Sequence, residues 1–292
     1  MAMRVHVPAA GVSLAIVACL ASASASAAQQ SPPGAKWLVS GEGIRCTLSR
    51  LVQESGPKAT IGFRSYPGQG WSEFMLIVDP FHRGVGPAEK LTLTLAPGGQ
   101  TQTRPAVAIP MEKGGGTALS ASYLPGEFLD AYAKAETITV SVGGKAVGTF
   151  PVPHAAGAAV EAFNMCKAEK LVEWGADPAG FEAGGRQISP VGDPRQWVTY
   201  KDLHLTLPLG PNNFGGVAVA RLGVAPDGTV DKCDLIYSNH NPVLEATACR
   251  TLLKRARFEP AKAADGHPVR SVATFPIDMT VTETVEMFGI WN

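Results

Sequence analysis

Three runs in the first half of the chain set apolar or β-branched residues between Gly and Pro. They are "FMLIVD" at 74–79, "KLTLTLA" at Lys90–Ala96 and "TITVSV" at Thr137–Val142. Alternation of this kind places one set of side chains on one face of a strand. Short runs at this spacing predict a small antiparallel β-sandwich or barrel. The period changes at "AAGAAVEAFNMCKAEKLVEWG", 155–175, where Val160, Phe163, Leu171 and Trp174 can share one helical face. An N-terminal β-domain ending in a helix is therefore expected over 37–174.

The next stretch, "GADPAGFEAGGRQISPVGDP" at 175–194, is rich in Gly, Pro and Ala and has no apolar period. It predicts a linker, which fully extended would reach roughly 65 Å at ~3.3 Å per residue. A second unit is expected over 195–292. In "FGGVAVARLGVAPDGTV" the apolar alternation returns, and Pro226-Asp227-Gly228 supplies turn chemistry, Pro setting φ and Gly accepting φ > 0. "TVDKCDLIYS" is the return strand of a hairpin. Asn241-Pro242 reads as a helix cap followed by the first helical residue, and the helix is expected to run to about Arg257. Cys249, Leu252, Leu253 and Ala256 recur at i, i+3, i+4 and i+7 and predict its buried face. Lys254, Arg255 and Arg257 suit the negative end of its dipole. "SVATFPIDMTVT", 271–282, is a closing strand. The order is hairpin, helix, strand, and the fold class of the whole is α+β.

Composition narrows the function. The 292 residues are 45% hydrophobic, enough for substantial cores, and the formal net charge is zero. A neutral chain gives no electrostatic reason to expect nucleic acid or acidic lipid as a partner. At the N-terminus Arg4 precedes an apolar run from Val7 to Leu20, and Ala25-Ser26-Ala27 offers a cleavage site. The run is shorter than the ~20 residues that span hydrocarbon, so residues 1–28 read as a secretory signal peptide and the mature protein as periplasmic. Two alternatives are an uncleaved inner-membrane anchor and a lipoprotein acylated at Cys19, since Ile16-Val17-Ala18-Cys19 loosely resembles a lipobox.

Removal of that segment leaves four cysteines, an even number that in an exported protein points to disulfides. Cys233 lies on the second hairpin strand and Cys249 on the inward side of the helix, and helix on sheet can bring two such Cα atoms within bridging distance. Closing a ~15-residue loop contributes ~3 kcal/mol in the chain-entropy model. A metal or redox pair would need more Cys or His close by, and free thiols are the third reading. By elimination Cys46 pairs with Cys166.

Several features of this second unit together resemble the C-terminal domain of TonB-type energy transducers. They are "GGVAVARLGVAPDGTV", then "CDLIYSNHNPVLEATACRTLLKRARFEPA", "DGHPV" and the closing strand, with a lead-in "RQWVTYKDL" at 195–203. The likeness is to the subgroup with Cys on the second strand and on the helix, and it spans about 193–281. It implies a module that binds an extended segment of an outer-membrane receptor or other envelope protein by adding a strand to a sheet edge. On that resemblance the docking surface is the exposed edge of the final strand, with Thr274, Phe275, Ile277, Met279 and Val281, aided by Gln196 and Trp197 of the lead-in. The side chains of Phe275, Ile277 and Met279 read more simply as alternate strand residues with one face in the core; the functional expectation concerns the backbone of the edge. A homodimer is a further assembly it allows.

Three departures point away from energy transduction. Asp202-Leu203 stands where the family has a Tyr-Pro pair, no membrane helix with its Ser and His is present, and the long Pro-rich arm is replaced by 175–194. An exported adaptor that borrows the domain is the first expectation; an anchored transducer is the second. The N-terminal unit, with "GIRCTLSRL" early and a Cys at each end, more weakly resembles invasion-associated locus B proteins.

A secreted enzyme is the third class. The sequence holds no G-x-S-x-G, H-E-x-x-H or P-loop. The histidines stand singly, Asp227 and Asp265 precede Gly in turns, and "EKGGGTALS" reads as a hairpin tip. Glu73, Asp79 and His82 would lie at opposite ends of one strand. No catalytic residue, metal ligand or cofactor is assigned.

Overall fold

The computed structural model describes residues 37–52, 58–79, 89–111, 116–204, 217–238 and 242–278. The proposed signal peptide, Cys19, the Asn241 cap, the glycines at 114–115 and His82 lie outside them.

In chain order the first unit runs β1 (Trp37–Ser40), β2 (Cys46–Val52), β3 (Lys58–Ser65), β4 (Trp71–Asp79), β5 (Lys90–Ala96), β6 (Thr101–Pro105), β7 (Val107–Pro110) and β8 (Thr117–Pro125). Helix α1 (Gly126–Tyr132), β9 (Thr137–Val142), β10 (Lys145–Pro151) and α2 (Ala156–Glu173) complete it. The strands form two antiparallel sheets, one in the order β1-β2-β3-β4-β8-β7 and the other β10-β9-β5-β6. Alternation decides which residues meet. Leu91, Leu93 and Leu95 point inward from β5 and join Ile138, Val140 and Val142 of β9 in one cluster with Leu48, Ile61, Phe63, Phe74 and Leu76 of the facing sheet. The intervening threonines point out and pair across strands, Thr92 with Thr103 and Thr94 with Thr101. At roughly 1.5–3 kcal/mol for each fully buried large apolar side chain, this cluster dominates the unit's stability. Ala156, Val160 and Phe163 of α2 pack into the same core, and the Cys46–Cys166 disulfide, with Cα atoms 6.1 Å apart, ties the helix to β2.

The stretch expected to be an open linker carries structure of its own. Residues 175–194 form no open linker. Asp177 and Asp193 each cap a 3-10 turn, at Pro178–Gly180 and Pro194–Gln196, with Pro in the first helical turn. Between them β11 (Ser189–Pro190) precedes α3 (Tyr200–His204), β12 (Val217–Val224), β13 (Val230–Tyr237), α4 (Pro242–Arg255), β14 (Phe258–Glu259), β15 (Ala261–Lys262), β16 (Pro268–Val269) and β17 (Ser271–Asp278). β11 pairs with β14, and Arg186 bridges to Lys262. A stretch without apolar period lacks a hydrophobic face, but its backbone groups still need partners, and the segment after α4 supplies them.

The hairpin and closing strand form an antiparallel sheet in the order β13-β12-β17, with α4 on one face. Ala248, Leu252 and Ala256 line the buried side of the helix with Ala218, Ala220, Leu222, Phe275 and Ile277 opposite. The expected helix face needs one correction: Leu253 is 39% exposed. A stripe at i, i+4 and i+8 through Ala248 already faces the sheet, which rotates Leu253 to the flank. Cys249, at the margin of that stripe, is bonded to Cys233 of β13 with Cα atoms 5.5 Å apart.

α2 serves both units. Its first three turns face the sandwich, whereas Leu171 and Trp174 at its end pack with Ala176 and Phe181 against Val272 of β17.

Candidate partner-docking site

The closing strand β17 pairs with β12 alone among the described residues, so one of its edges carries no ladder. The lead-in frames it. Trp197 is buried, its ring 5.0 Å from Phe258 and 5.5 Å from Phe275. Asp202 of α3 accepts hydrogen bonds from the Thr199 backbone N–H and hydroxyl and a bidentate pair from Arg255 at 2.7 and 2.8 Å. Burial works to raise the Asp202 pKa, and these hydrogen bonds outweigh it, holding the carboxyl at about 2. Asp202 thus fastens the lead-in to the end of α4.

The hairpin turn is fixed from outside as well as within. Asp227 accepts from the Thr229 N–H and hydroxyl, and Gly228 takes φ +82° with its carbonyl accepting from the Phe258 N–H at 2.9 Å. A Cβ at Gly228 would sit 1.9 Å from the Phe258 carbonyl oxygen, so only glycine fits.

The sheet face opposite α4 is covered by the N-terminal unit. The turn between β3 and β4, "YPGQG", lies on β17: Thr274 Oγ1 donates to the Pro67 carbonyl at 2.8 Å. Gly68, at φ +80°, comes so close that a Cβ there would be 3.2 Å from the Thr274 nitrogen and 3.3 Å from the Ala273 Cα. Arg45 hydrogen-bonds Tyr66 and stacks on its ring at 4.3 Å and faces Tyr237 of β13 at 5.9 Å. Arg221 of β12 lies 5.6 Å over the Trp174 ring.

The sequence-assigned site residues therefore separate. Thr274 is fully buried and engaged with Pro67; Phe275 and Ile277 are buried in the core. Trp197 belongs to that core rather than to a partner surface, because Phe258 and Phe275 offer it an aromatic slot. Gln196 is exposed on its 3-10 turn. Met279 and Val281 lie outside the described residues. Phe275 and Ile277 point into the core under α4, as alternate strand residues do, Thr274 points to the turn at 66–70, and the backbone edge of β17 carries no ladder among the described residues. Sequence reasoning put Leu171 and Trp174 on one helical face without saying that it meets β17, and it passed over the turn. "YPGQG" is legible as a turn, but no local signal says what it rests on.

Elsewhere the chemistry is sparse. Glu73 is paired with Arg64 at 2.6 and 2.8 Å. Among the described residues no group of three or more His, Cys, Asp or Glu could hold a metal, and no helix is long and apolar enough to cross a membrane.

Hairpin, helix and closing strand, stapled by a disulfide and preceded by an aromatic lead-in, define a small helix-on-sheet module. The family model described as Gram-negative bacterial TonB protein C-terminal matches residues 212–280, the hairpin, helix and closing strand of the second unit. Such domains are envelope proteins that interact with outer-membrane proteins. Neither a curated protein nor a solved structure matches the chain.

Proposed function

We propose that this protein is an exported, non-enzymatic adaptor whose C-terminal domain takes an extended segment of an envelope protein as an added strand on β17. The observation that carries the reading is the family match together with a closing strand that has a ladder on one side only among the described residues. Unpaired N–H and C=O groups on a strand edge are a template for another chain, and backbone bonding of this kind provides affinity without demanding a particular sequence. The burial of 271–275 adds a condition: the turn at 66–70 must yield before the edge is fully available. The N-terminal unit then acts as a cover as well as a platform.

Hydrogen exchange on the full mature chain, with a photo-crosslinker at exposed Gln196, tests this in the native envelope. The expected result is a defined envelope protein cross-linked at Gln196 and slower exchange across 271–278 when it is bound. Unchanged exchange in β17 with a bound partner would exclude strand addition.

A further inference from the structure

Beside β17, at the junction of the two units, lies a cavity of about 640 Å³. Its floor is Val272, and Leu171 of α2, Phe181 and Ile188 contribute apolar wall. Clefts of this size at a meeting of two units are where small molecules bind. Two polar residues on the wall are unsatisfied. Gln69 is only 6% exposed, and neither its amide oxygen nor its amide nitrogen has a hydrogen-bond partner. A buried polar atom left unpaired costs about 1–3 kcal/mol, so such an amide beside a cavity is a group waiting for a ligand.

The second is Lys167, on the same face of α2 as Leu171. Among the described residues it has no ion pair and no hydrogen bond; its ammonium rests 5.0 Å from the Phe163 ring centroid. Burial pulls its pKa down to about 8, with Asp130 opposing the shift from a distance. At neutral pH it is a half-buried cation with no ion pair among the described residues. Gln187, also on the wall, is already committed to the Gly180 carbonyl.

We propose that this cavity binds a small organic carboxylate with an apolar body, such as an aliphatic monocarboxylic acid. The body lies against Val272, Leu171, Phe181 and Ile188, and the head meets Lys167 and the Gln69 amide. The polar inventory suits one carboxylate and would leave the successive amide groups of a peptide without partners. A ligand here touches both units and abuts β17. The proposal is independent of strand addition, since it rests on the cavity and not on the edge.

Calorimetric titration of the full mature protein with octanoate and with octan-1-ol separates the charge from the chain. The expected result is octanoate binding at least tenfold more tightly than octan-1-ol, with Lys167→Met bringing the two within threefold. Gln69→Leu is expected to raise the melting temperature of the free protein and weaken octanoate several-fold while leaving octan-1-ol unchanged. Ala168→Trp, which fills the cavity from the α2 wall, is expected to abolish both. Absence of octanoate binding, equal binding of the two probes, or unchanged octanoate affinity in Lys167→Met would overturn the assignment. An acetylated, amidated Leu-Asp-Leu peptide serves as the other source of a carboxylate; tighter binding than octanoate with the same dependence on Lys167 would overturn it in favour of a chain segment. Circular dichroism and intact disulfides establish that each variant is folded.

Discussion

Thr274 Oγ1 donates a 2.8 Å hydrogen bond to the carbonyl oxygen of Pro67, 207 residues earlier in the chain. The bond joins the strand assigned to partner docking to a turn of the other unit, so the state of that strand depends on the N-terminal unit. Thr274→Val keeps the shape and removes the donor, leaving a buried carbonyl unpaired at a cost of about 1–3 kcal/mol. The expected outcome is a lower melting temperature with faster hydrogen exchange confined to 271–275. If exchange there is unchanged, the turn is not what protects the strand.

Gly228 tests the packing of the hairpin turn. Its φ is +82°, and any Cβ would overlap the Phe258 carbonyl, 1.9 Å away. Gly266 has a similar φ of +89° with nothing within 4 Å of its Cβ position. Gly266→Ala should therefore cost only the conformational term, about 1 kcal/mol, and Gly228→Ala about 3 kcal/mol or more because backbone must move. Chemical denaturation of the two variants measures the difference. Equal losses would mean that the Gly228–Phe258 contact contributes nothing.

The same contrast explains what was legible in the sequence. Lys90–Ala96 and Thr137–Val142 were readable residue for residue because strict alternation with one buried face leaves a single register. The hairpin and α4 were readable because turn chemistry and helical period are local signals. Residues 175–194 were not, because their structure is made by backbone pairing with 257–262 and Arg270, and backbone pairing leaves no side-chain pattern. The cover over β17 was invisible for a related reason. Gly68 and Thr274 are ordinary residues in isolation, and only their tertiary contact gives them meaning. Nothing local in the sequence marks Lys167 as lining a cavity.

The two disulfides should differ in weight. Cys233 and Cys249 are 16 residues apart and Cys46 and Cys166 are 120 apart. In the chain-entropy model a ~15-residue loop contributes ~3 kcal/mol and a ~100-residue loop ~4.7 kcal/mol. The double variant Cys46→Ala/Cys166→Ala is thus expected to lose more stability than Cys233→Ala/Cys249→Ala, by about 1–2 kcal/mol. Denaturant midpoints under oxidising conditions decide it, and the reverse order would show that α4 depends on its staple more than α2 does.

Asp202 predicts an acid limit for the lead-in. Its carboxyl is held at about 2, below the ordinary 3.8, because hydrogen bonds from Arg255 and Thr199 outweigh the opposing effect of burial. A carboxyl whose folded pKa is depressed contributes stability that is complete above its unfolded value and lost as pH falls through the folded one. The loss should therefore fall between about pH 4 and pH 2. Nearly two pKa units correspond to ~2.4 kcal/mol at full weight, but Arg255 is 43% exposed, and solvent screening reduces the contribution to about 1 kcal/mol. Asp202→Asn should cost that amount at pH 7 and almost nothing at pH 2. The readout is the gap in unfolding free energy between the two proteins at each pH. A gap that stays constant from pH 7 to pH 2 would show that the Asp202–Arg255 pair does not hold the lead-in through its charge.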